Sequence, residues 1–384
     1  MSKMADIEHM RSFVVRTEEI LTVDSDTEFE ELDEMDRSSM QNRLYIINRS
    51  GSGEAHYILL SPDRSNILSY QVRTDYWKAI KDIAHFGVVV LDNKLYIIGG
   101  YDTVKCKHLK RLLKYDPRER LWTELSPMPK SKAKFGCSAL DGKIYVCGGE
   151  RSDGRASSSV EMFDPESNEW SNAGTLPAPR LNNTCAVYKR EMYCAGGDFG
   201  TQSHDNFWVY EGGNFEELDL DYPHALPVCL DRFCATTLGN KIFFIGGVSC
   251  KVGGTNESNK FSTERKMFSY ASNVSALSRQ KSEINGIQSD MISPWYYKYP
   301  SVTHARHSAG VCTIGSRIYL FGGSHIDSGQ DIRIAEFYDI ERNVWEEDFT
   351  FRKGDVSNVS CAILEVPRRH DLKKINLHLK WVMW

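Results

Sequence analysis

The stretch Leu95-Tyr96-Ile97-Ile98-Gly99-Gly100 decides the fold, because it is a short apolar run that ends on two glycines and the same arrangement recurs along the chain. Glycine pairs close four further apolar runs, at residues 148–149, 196–197, 246–247 and 322–323, and the steps between successive pairs are 49, 48, 50 and 76 residues. Glycines at the end of a strand permit a bend or a close approach of two backbones. A period near fifty residues predicts a repeat architecture.

Each repeating unit carries the marks of three further strands. After the glycines, an aromatic residue precedes a tryptophan by seven positions, as Tyr115 precedes Trp122 and Phe163 precedes Trp170. Before the apolar run, a segment such as the one from Phe135 to Leu140 ends at a polar turn. Four antiparallel strands per unit, repeated radially, are typical of a blade of a β-propeller, so the sequence predicts an all-β fold.

A sixth unit is predicted at the start of the chain, although its glycine pair is missing. The apolar strand from Leu44 to Ile47 copies the other units, but Asn48 and Arg49 stand where the glycines are expected. Further on, Tyr70 precedes Trp77 by seven residues, which predicts the third and fourth strands of this unit.

The first strand of this unit is predicted at the other end of the chain, from Val359 to Val366. Cys361 follows Trp345 by 16 residues, much as Cys137 and Cys185 each follow a tryptophan by 15. A blade shared between both ends closes the ring and leaves no free edge for another chain to pair with. We therefore predict a six-bladed propeller of four-stranded antiparallel blades, closed by a C-terminal strand.

The glycine pair, the aromatic-acid pair and the tryptophan at this spacing resemble the kelch repeat, and the resemblance covers residues 41–366. Besides the first unit, the fourth departs from the pattern by having Phe215 in place of tryptophan, and the fifth is expanded by a polar segment, 272–290, that predicts a mobile loop. The propeller looks most like that of the kelch-like ubiquitin-ligase adaptors. That family carries BTB and BACK domains before the propeller; since 40 residues precede it here, we expect neither in this chain.

Charge is concentrated at the two ends of the sequence, although the net charge is only −5. Residues 1–40 contain twelve acidic and four basic residues, and residues 367–384 contain one acidic and five basic residues. We expect an acidic, mostly disordered N-terminal tail over 1–40, the propeller over 41–366 and a basic tail over 367–384. Neither the propeller nor the short basic tail forms a footprint for nucleic acid.

The composition also bears on the compartment. No run of eighteen apolar residues predicts a membrane span, and the charged start lacks the apolar stretch of a signal peptide, so we expect a cytoplasmic or nuclear protein. The ten cysteines recur inside predicted strands and form no C-x-x-C pair, which favours buried thiols over disulfides or a metal site. We expect no cofactor.

Candidate binding residues come from the loops that lead into the first strand of each unit. Counting fourteen residues back from the first glycine of each pair gives mostly polar or cationic donors: His85, Lys134, Asn182, Arg232 and Ser308. A ring of such groups around a central depression would attract carboxylates or phosphates. Counting sixteen back gives Lys132, Arg180 and Arg306, which either join this ring or pair with neighbouring blades.

The kelch resemblance implies a protein-interaction module in which this face captures short acidic peptide segments, with an indirect link to a cullin ubiquitin ligase. Carried over by position, the loops after the glycines would contribute Tyr101, Asp102, Arg151, Asp198 and His325. Two alternatives stay open. One is a kelch-type enzyme such as a sugar mutarotase, for which Asp102, Asp198 and Asp231 would be the candidate carboxylates, and the other is an actin-associated scaffold. We predict no catalytic activity.

Overall fold

The computed structural model describes residues 15–16, 40–200, 202–217, 225–251, 260–271, 278–284 and 287–367. In these residues the chain is all-β, which confirms the predicted fold class, and their one helical element is the short 3-10 turn Lys78–Ile80. No helix in these ranges is long and apolar enough to cross a bilayer. The predicted acidic and basic tails lie outside the described residues, apart from Val15–Arg16 and the terminal residues of two strands.

Six antiparallel sheets, which we number 1 to 6 along the chain, dominate the described residues. In hydrogen-bonded order, sheet 1 contains Val359–Pro367, Met40–Asn48, Glu54–Leu60 and Ile67–Tyr76; sheet 2 contains Gly87–Leu91, Lys94–Ile98, Leu112–Asp116 and Leu121–Glu124; and sheet 3 contains Gly136–Leu140, Lys143–Cys147, Ser157–Asp164 and Glu169–Arg180. Sheet 4 contains Thr184–Tyr188, Glu191–Ala195, Phe207–Glu211 and Asn214–Glu217; sheet 5 contains Cys234–Leu238, Lys241–Ile245, Met267–Tyr270 and Trp295–Tyr296; and sheet 6 contains Gly310–Ile314, Arg317–Phe321, Ile334–Asp339 and Val344–Thr350.

Short strands extend this framework. Val15–Arg16 adds a fifth strand to sheet 2, where it pairs with Leu121–Glu124. Small sheets join loops at one end of the larger ones: Ile83–Ala84 with Tyr101–Asp102 and Lys107–His108, Lys132–Ala133 with Glu150–Arg151, and Val248–Lys251 with Lys260–Thr263. In the expanded fifth unit, where the sequence predicts a mobile loop over 272–290, the described part forms a hairpin in which Ser278–Ile284 pairs with Ile287–Ser293.

The prediction that Tyr70 and Trp77 mark the third and fourth strands of the first unit is wrong. Tyr70 lies in the fourth strand of sheet 1, Ile67–Tyr76, rather than the third, and Trp77 follows that strand instead of lying within it. Trp77 is buried and packs on Tyr45 of its own sheet and on Trp122 of sheet 2, with ring centroids 5.2 and 5.4 Å apart. The seven-residue spacing therefore marks a buried tryptophan here, but not the strand pair that it marks elsewhere.

The glycine pairs let neighbouring sheets approach each other. Gly99 ends the second strand of sheet 2 with a φ of +55°, and a Cβ at this position would lie 2.6 Å from the carbonyl oxygen of Lys132, in the loop that leads into sheet 3. The N–H of Gly100 donates to the same carbonyl oxygen at 2.8 Å. Only glycine fits this backbone without strain, so the pair that identifies each repeat is also a contact between repeats.

The hydrophobic core is divided among the contacts between sheets. Separate clusters of buried side chains join sheets 1 and 2, 2 and 3, 3 and 4, 4 and 5, and 5 and 6, and a further cluster joins sheet 6 to sheet 1. The first strands of the six sheets contact each other in the same cyclic order. In sheet 1 the first strand is the C-terminal one, since Val359–Pro367 pairs along its whole length with Met40–Asn48.

Candidate functional site

The loops that lead into the first strands, which we call the entering loops, share one unusual backbone conformation. Five non-glycine residues that directly precede those strands have φ between +52° and +55°: His85, Lys134, Asn182, Arg232 and Ser308. These are the same five residues that the sequence spacing selected. A left-handed conformation costs an ordinary residue about 1–2 kcal/mol, so the surrounding contacts must hold it in place.

A ring of backbone hydrogen bonds supplies those contacts. Except at His85, the N–H of each of these residues donates to the carbonyl oxygen of the equivalent residue one sheet earlier, as Lys134 donates to His85 at 3.1 Å and Asn182 donates to Lys134 at 2.8 Å. At the junction of the chain ends, His85 donates to Arg49 at 2.9 Å, Arg49 donates to Asn358 at 2.7 Å, and Val359 donates to Ser308 at 3.0 Å. The hydrogen bonds therefore return to the segment from which they start.

This ring surrounds a central cavity of about 270 Å³. The structure brings all five predicted residues of the fourteen-back column into its lining, together with Arg49 and Asn358. Deeper in the cavity lie residues of the first strands, among them the thiols of Cys137, Cys185, Cys234 and Cys361. The lining is thus cationic and polar where the entering loops meet, and elsewhere it is largely apolar, with Phe135, Phe233 and Val311 beside the cysteines.

Two of the three cations at the mouth are already paired with carboxylates. Lys134 Nζ lies 2.8 Å from Glu150 Oε2, and Arg232 Nε lies 2.5 Å from Asp231 Oδ1. Burial alone would raise the pKa of Glu150, but hydrogen bonds from Lys134 and His108 hold it below its usual value, so this carboxylate is charged at neutral pH. Asp231 is buried, which raises its pKa, and it also accepts a hydrogen bond from Ser203 at 2.6 Å.

Arg49 is the residue that sequence reasoning missed. It occupies the second of the two positions where the other units have glycines, and its Nη1 donates to Ser360 Oγ at 3.3 Å. Its Nε is buried without a hydrogen-bond partner among the described residues. The signal was present in the sequence, because a cation stands where the other units have a glycine, and the structure places this residue in the cavity lining.

His85 lies beside Arg49 in the lining, with its Nδ1 3.3 Å from the amide nitrogen of Asn358. Burial, with a smaller contribution from Arg49 and Lys134, lowers the pKa of His85 to about 4. The imidazole is therefore neutral at pH 7 and acts there as a hydrogen-bonding group rather than as a charge.

The residues sixteen positions before the glycines do not line the cavity. Lys132 and Arg306 are fully buried and pair with carboxylates of the third strands in their own sheets, Glu161 and Glu336, each at 2.5 Å. Arg180 is buried with its guanidinium over the rings of Phe199 and Trp208. The alternative of structural pairing therefore accounts for this column better than membership of the binding ring.

The residues predicted in the loops after the glycines surround the cavity without lining it. Asp198 accepts a hydrogen bond from the Asn182 side chain at 2.7 Å, and Arg151 pairs with Asp153 in its own loop. The Tyr101 ring contacts His108, Asp102 accepts backbone hydrogen bonds within its turn, and His325 Nδ1 lies 3.9 Å from Asp327. Since Asp102, Asp198 and Asp231 are all outside the cavity lining, no carboxylate set for sugar chemistry faces this cavity in the described residues.

Among the cysteines of the cavity wall, Cys234 is buried, whereas Cys137, Cys185 and Cys361 are half-buried. All ten cysteines are free, and Cys106 alone among them is exposed. Burial raises the pKa of Cys137 to about 11 and that of Cys234 to about 12, so both are neutral at pH 7. Among the described residues, no group of three or more potential ligands from histidine, cysteine, aspartate and glutamate is arranged to hold a metal ion.

Comparisons with known proteins agree with the repeat pattern. A family model described as the KLHDC2/KLHL20/DRC7 Kelch-repeats domain matches residues 84–282, and a Kelch motif model matches residues 305–347. The human protein "Kelch repeat and BTB domain-containing protein 12" is 30% identical over 105 residues, which cover 24% of this chain and only 16% of that protein. A solved structure titled "Structure of YjhT" is similar with a TM-score of 0.59 at 15% identity, covering 79% of this chain and 96% of that one, and this likeness concerns the fold alone.

Proposed function

Because the chain belongs to the KLHDC2/KLHL20/DRC7 kelch-repeat family, we propose that it is a protein-interaction propeller whose central cavity binds a short acidic peptide segment. The observation that carries the proposal is the set of five entering-loop residues, which come from five different sheets and line one cavity. Loops from several repeats that meet at an axis form a single recognition surface, although no repeat alone could form it.

We also propose that the six sheets are the six blades of one ring, closed between the two ends of the propeller. The pairing of Val359–Pro367 with Met40–Asn48 and the cyclic order of the sheet contacts support this arrangement. A closed ring would hold the entering loops at fixed distances around the axis. The cavity would then be largely formed before a ligand arrives, which lowers the entropy lost on binding.

The charges of the lining favour an acidic ligand. Arg49, Lys134 and Arg232 contribute three cationic groups, whereas the carboxylates Glu150 and Asp231 lie behind two of them and outside the lining. A carboxylate that enters the cavity would meet donors from guanidinium, ammonium and amide groups. Hydrogen bonds to charged groups are each worth about 1.5–3 kcal/mol, so two such contacts supply about 3–6 kcal/mol. Micromolar binding needs about 8 kcal/mol, so further contacts of the peptide with the cavity must supply the rest.

Resemblance to kelch-like adaptors extends the proposal to a role in selecting substrates for a ubiquitin ligase. In that role the acidic peptide would belong to the substrate, and the ligase would be recruited through a separate protein or region. This extension rests on the family resemblance and on the human relative whose name combines kelch repeats with a BTB domain.

A peptide array tests the proposed ligand. Matched peptides that carry either Glu and Asp or Gln and Asn at the same positions would be probed with the purified chain at about 0.15 M and 0.5 M salt, since screening weakens exposed charge pairs at high salt. We expect acidic peptides to bind, their amide versions to bind less, and salt to weaken the difference. Equal capture of both sets would contradict the proposal.

A matched pair of variants adds a control within the protein. Lys134→Ala removes a cation from the cavity mouth and should weaken capture of acidic peptides. Arg190→Ala removes a cation that is 84% exposed, in the turn at the opposite end of sheet 4 from its entering loop, and should leave capture unchanged. An equal loss in both variants would indicate attraction by overall charge and not by the cavity.

A further inference from the structure

Arg49 differs from the other cations of the cavity because its charge is not balanced by the protein. Lys134 and Arg232 each have a carboxylate within 3 Å, whereas no carboxylate of the described residues lies within 4 Å of the Arg49 guanidinium. Among the described residues, the one hydrogen-bond partner of its guanidinium, Ser360 Oγ, is neutral. The nearby thiol of Cys137 cannot supply a negative charge either, because burial raises its pKa to about 11.

The environment of Arg49 makes this imbalance costly in the empty cavity. A guanidinium has five N–H donors, and here the Nε donor is buried without a partner. Burial disfavours the charged form and lowers the pKa of Arg49, but a guanidinium stays protonated in proteins at neutral pH. A half-buried cation with an unused donor is stabilised when an anion binds to it, particularly one with two oxygens that match the planar geometry of the guanidinium.

We propose that Arg49 is the principal anchor of the cavity, and that it binds a single carboxylate group of the peptide. This inference rests on the proposed function. It names the Arg49 guanidinium as the protein group and a carboxylate as the peptide group in the main contact. A single carboxylate fits better than a phosphate dianion, because Arg49 is the one cation of the lining that lacks a carboxylate among the described residues, so the cavity presents about one unbalanced positive charge at pH 7.

The position of Arg49 also allows a clean substitution. Arg49 is not among the described residues with positive φ, and the equivalent positions of the other units hold glycine. Arg49→Gly therefore removes the guanidinium with a residue that this fold accepts at the same position, and Arg49→Lys retains the charge without the planar donors. Arg232→Gln is the matched control, because it removes a cation from the same lining.

The test measures the affinity of fluorescein-labelled acidic peptides from the array for these variants, with melting temperature recorded for each. We expect Arg49→Gly to lower the affinity about tenfold or more, Arg49→Lys to restore only part of it, and Arg232→Gln to lower it less than about threefold. Two modified peptides identify which carboxylate binds Arg49. Loss of affinity in a Glu→Gln peptide indicates a side-chain carboxylate, and loss in a peptide with a C-terminal amide indicates the terminal carboxylate. Unchanged affinity in Arg49→Gly, or a larger loss in Arg232→Gln, would overturn the assignment.

A second measurement separates this inference from the proposed function. Acetate and inorganic phosphate would be titrated into ¹⁵N-labelled protein while the Arg49 Nε–H resonance, assigned with Arg49→Lys, is followed by NMR. A saturable shift with acetate that exceeds the shift with phosphate supports Arg49 as a carboxylate anchor even if no array peptide binds, in which case only the peptide ligand is wrong. No shift with acetate overturns the inference even if acidic peptides bind elsewhere on the face.

Discussion

Substitution in the buried pair of Arg306 and Glu336 tests whether Arg306 stabilises the fold or belongs to the binding ring. Arg306 is 1% exposed, and its Nη2 lies 2.5 Å from Glu336 Oε1, while its Nη1 donates to two backbone carbonyl oxygens at 2.8 and 2.9 Å. Glu336 also accepts the backbone N–H of Thr303 at 2.8 Å. Glu336→Gln keeps the shape of the side chain but leaves the guanidinium buried without its counter-charge.

The expected loss follows from that uncompensated charge. Removal of one partner from a buried ion pair typically costs about 3–5 kcal/mol of unfolding free energy. For a folded unit of about 300 residues, an unfolding entropy of about 2 cal/mol/K per residue converts a loss of about 4 kcal/mol into a fall of about 6 °C in melting temperature. Urea denaturation and scanning calorimetry measure both quantities on the purified chain.

Two controls make the result decisive. Glu346→Gln breaks the exposed pair with Arg342 and should cost less than about 0.5 kcal/mol, because exposed ion pairs contribute little. The double substitution Arg306→Met with Glu336→Leu should recover most of the lost stability, since both charges are then removed together. If Glu336→Gln left stability unchanged but abolished peptide capture, Arg306 would belong to the binding ring and the structural interpretation would be refuted.

Three further outcomes follow from the fold and the cavity. Gly99→Ala should lower the unfolding free energy by about 2 kcal/mol or more, because its Cβ would meet the Lys132 carbonyl oxygen, whereas Gly142→Ala, with nothing within 4 Å, should cost about 1 kcal/mol in urea denaturation. Burial lowers the pKa of His85 from 6.5 to about 4, so the unfolded chain takes up the proton first; the stability that its neutral form contributes is complete above about pH 6.5 and is lost as pH falls towards 4. Unfolding measured at pH 7 and 4.5 should therefore show a smaller decrease for His85→Asn than for the native chain. Deletion of 359–384 should expose the edge of Met40–Asn48 and cause aggregation in light scattering; a soluble product with one cooperative transition would contradict this.

The fold could be predicted from the sequence because its strongest marks are backbone requirements. Gly99 and Gly100 are fixed by a contact with the next sheet that no side chain would permit, so they recur at a constant interval. The column that contains Lys134 and Asn182 was found by its distance from those glycines, because the hairpin of first and second strands between them has the same length in the five units that carry a glycine pair. Tyr70 was misassigned because the first unit lacks the glycines from which the spacing is counted.

The charge pairing of the site residues was less predictable, because the position of a residue in the sequence does not indicate which side chains it contacts in the fold. Arg232 and Arg306 look equivalent in the sequence, each a cation just before an inner strand, yet one is at the cavity mouth and the other is buried against Glu336. Asp231, which pairs with Arg232, and Glu150, which pairs with Lys134, are not marked as partners by any spacing in the sequence. Arg49 was overlooked because the loss of a glycine was interpreted as a weakened repeat and not as a gained functional group.

The ring of backbone hydrogen bonds around the axis has an electrostatic consequence. Each donating N–H and accepting C=O forms a peptide dipole, and the bonds run head to tail in one direction, from Arg49 through His85 and Lys134 back to Asn358. Dipoles arranged tangentially around a closed circle cancel one another, in contrast to the aligned dipoles of a helix, which concentrate partial charge at its ends. In the closed ring that we propose, these hydrogen-bonded peptide groups would add little net dipole, and the preference of the cavity for one charge over another would rest mainly on its side chains.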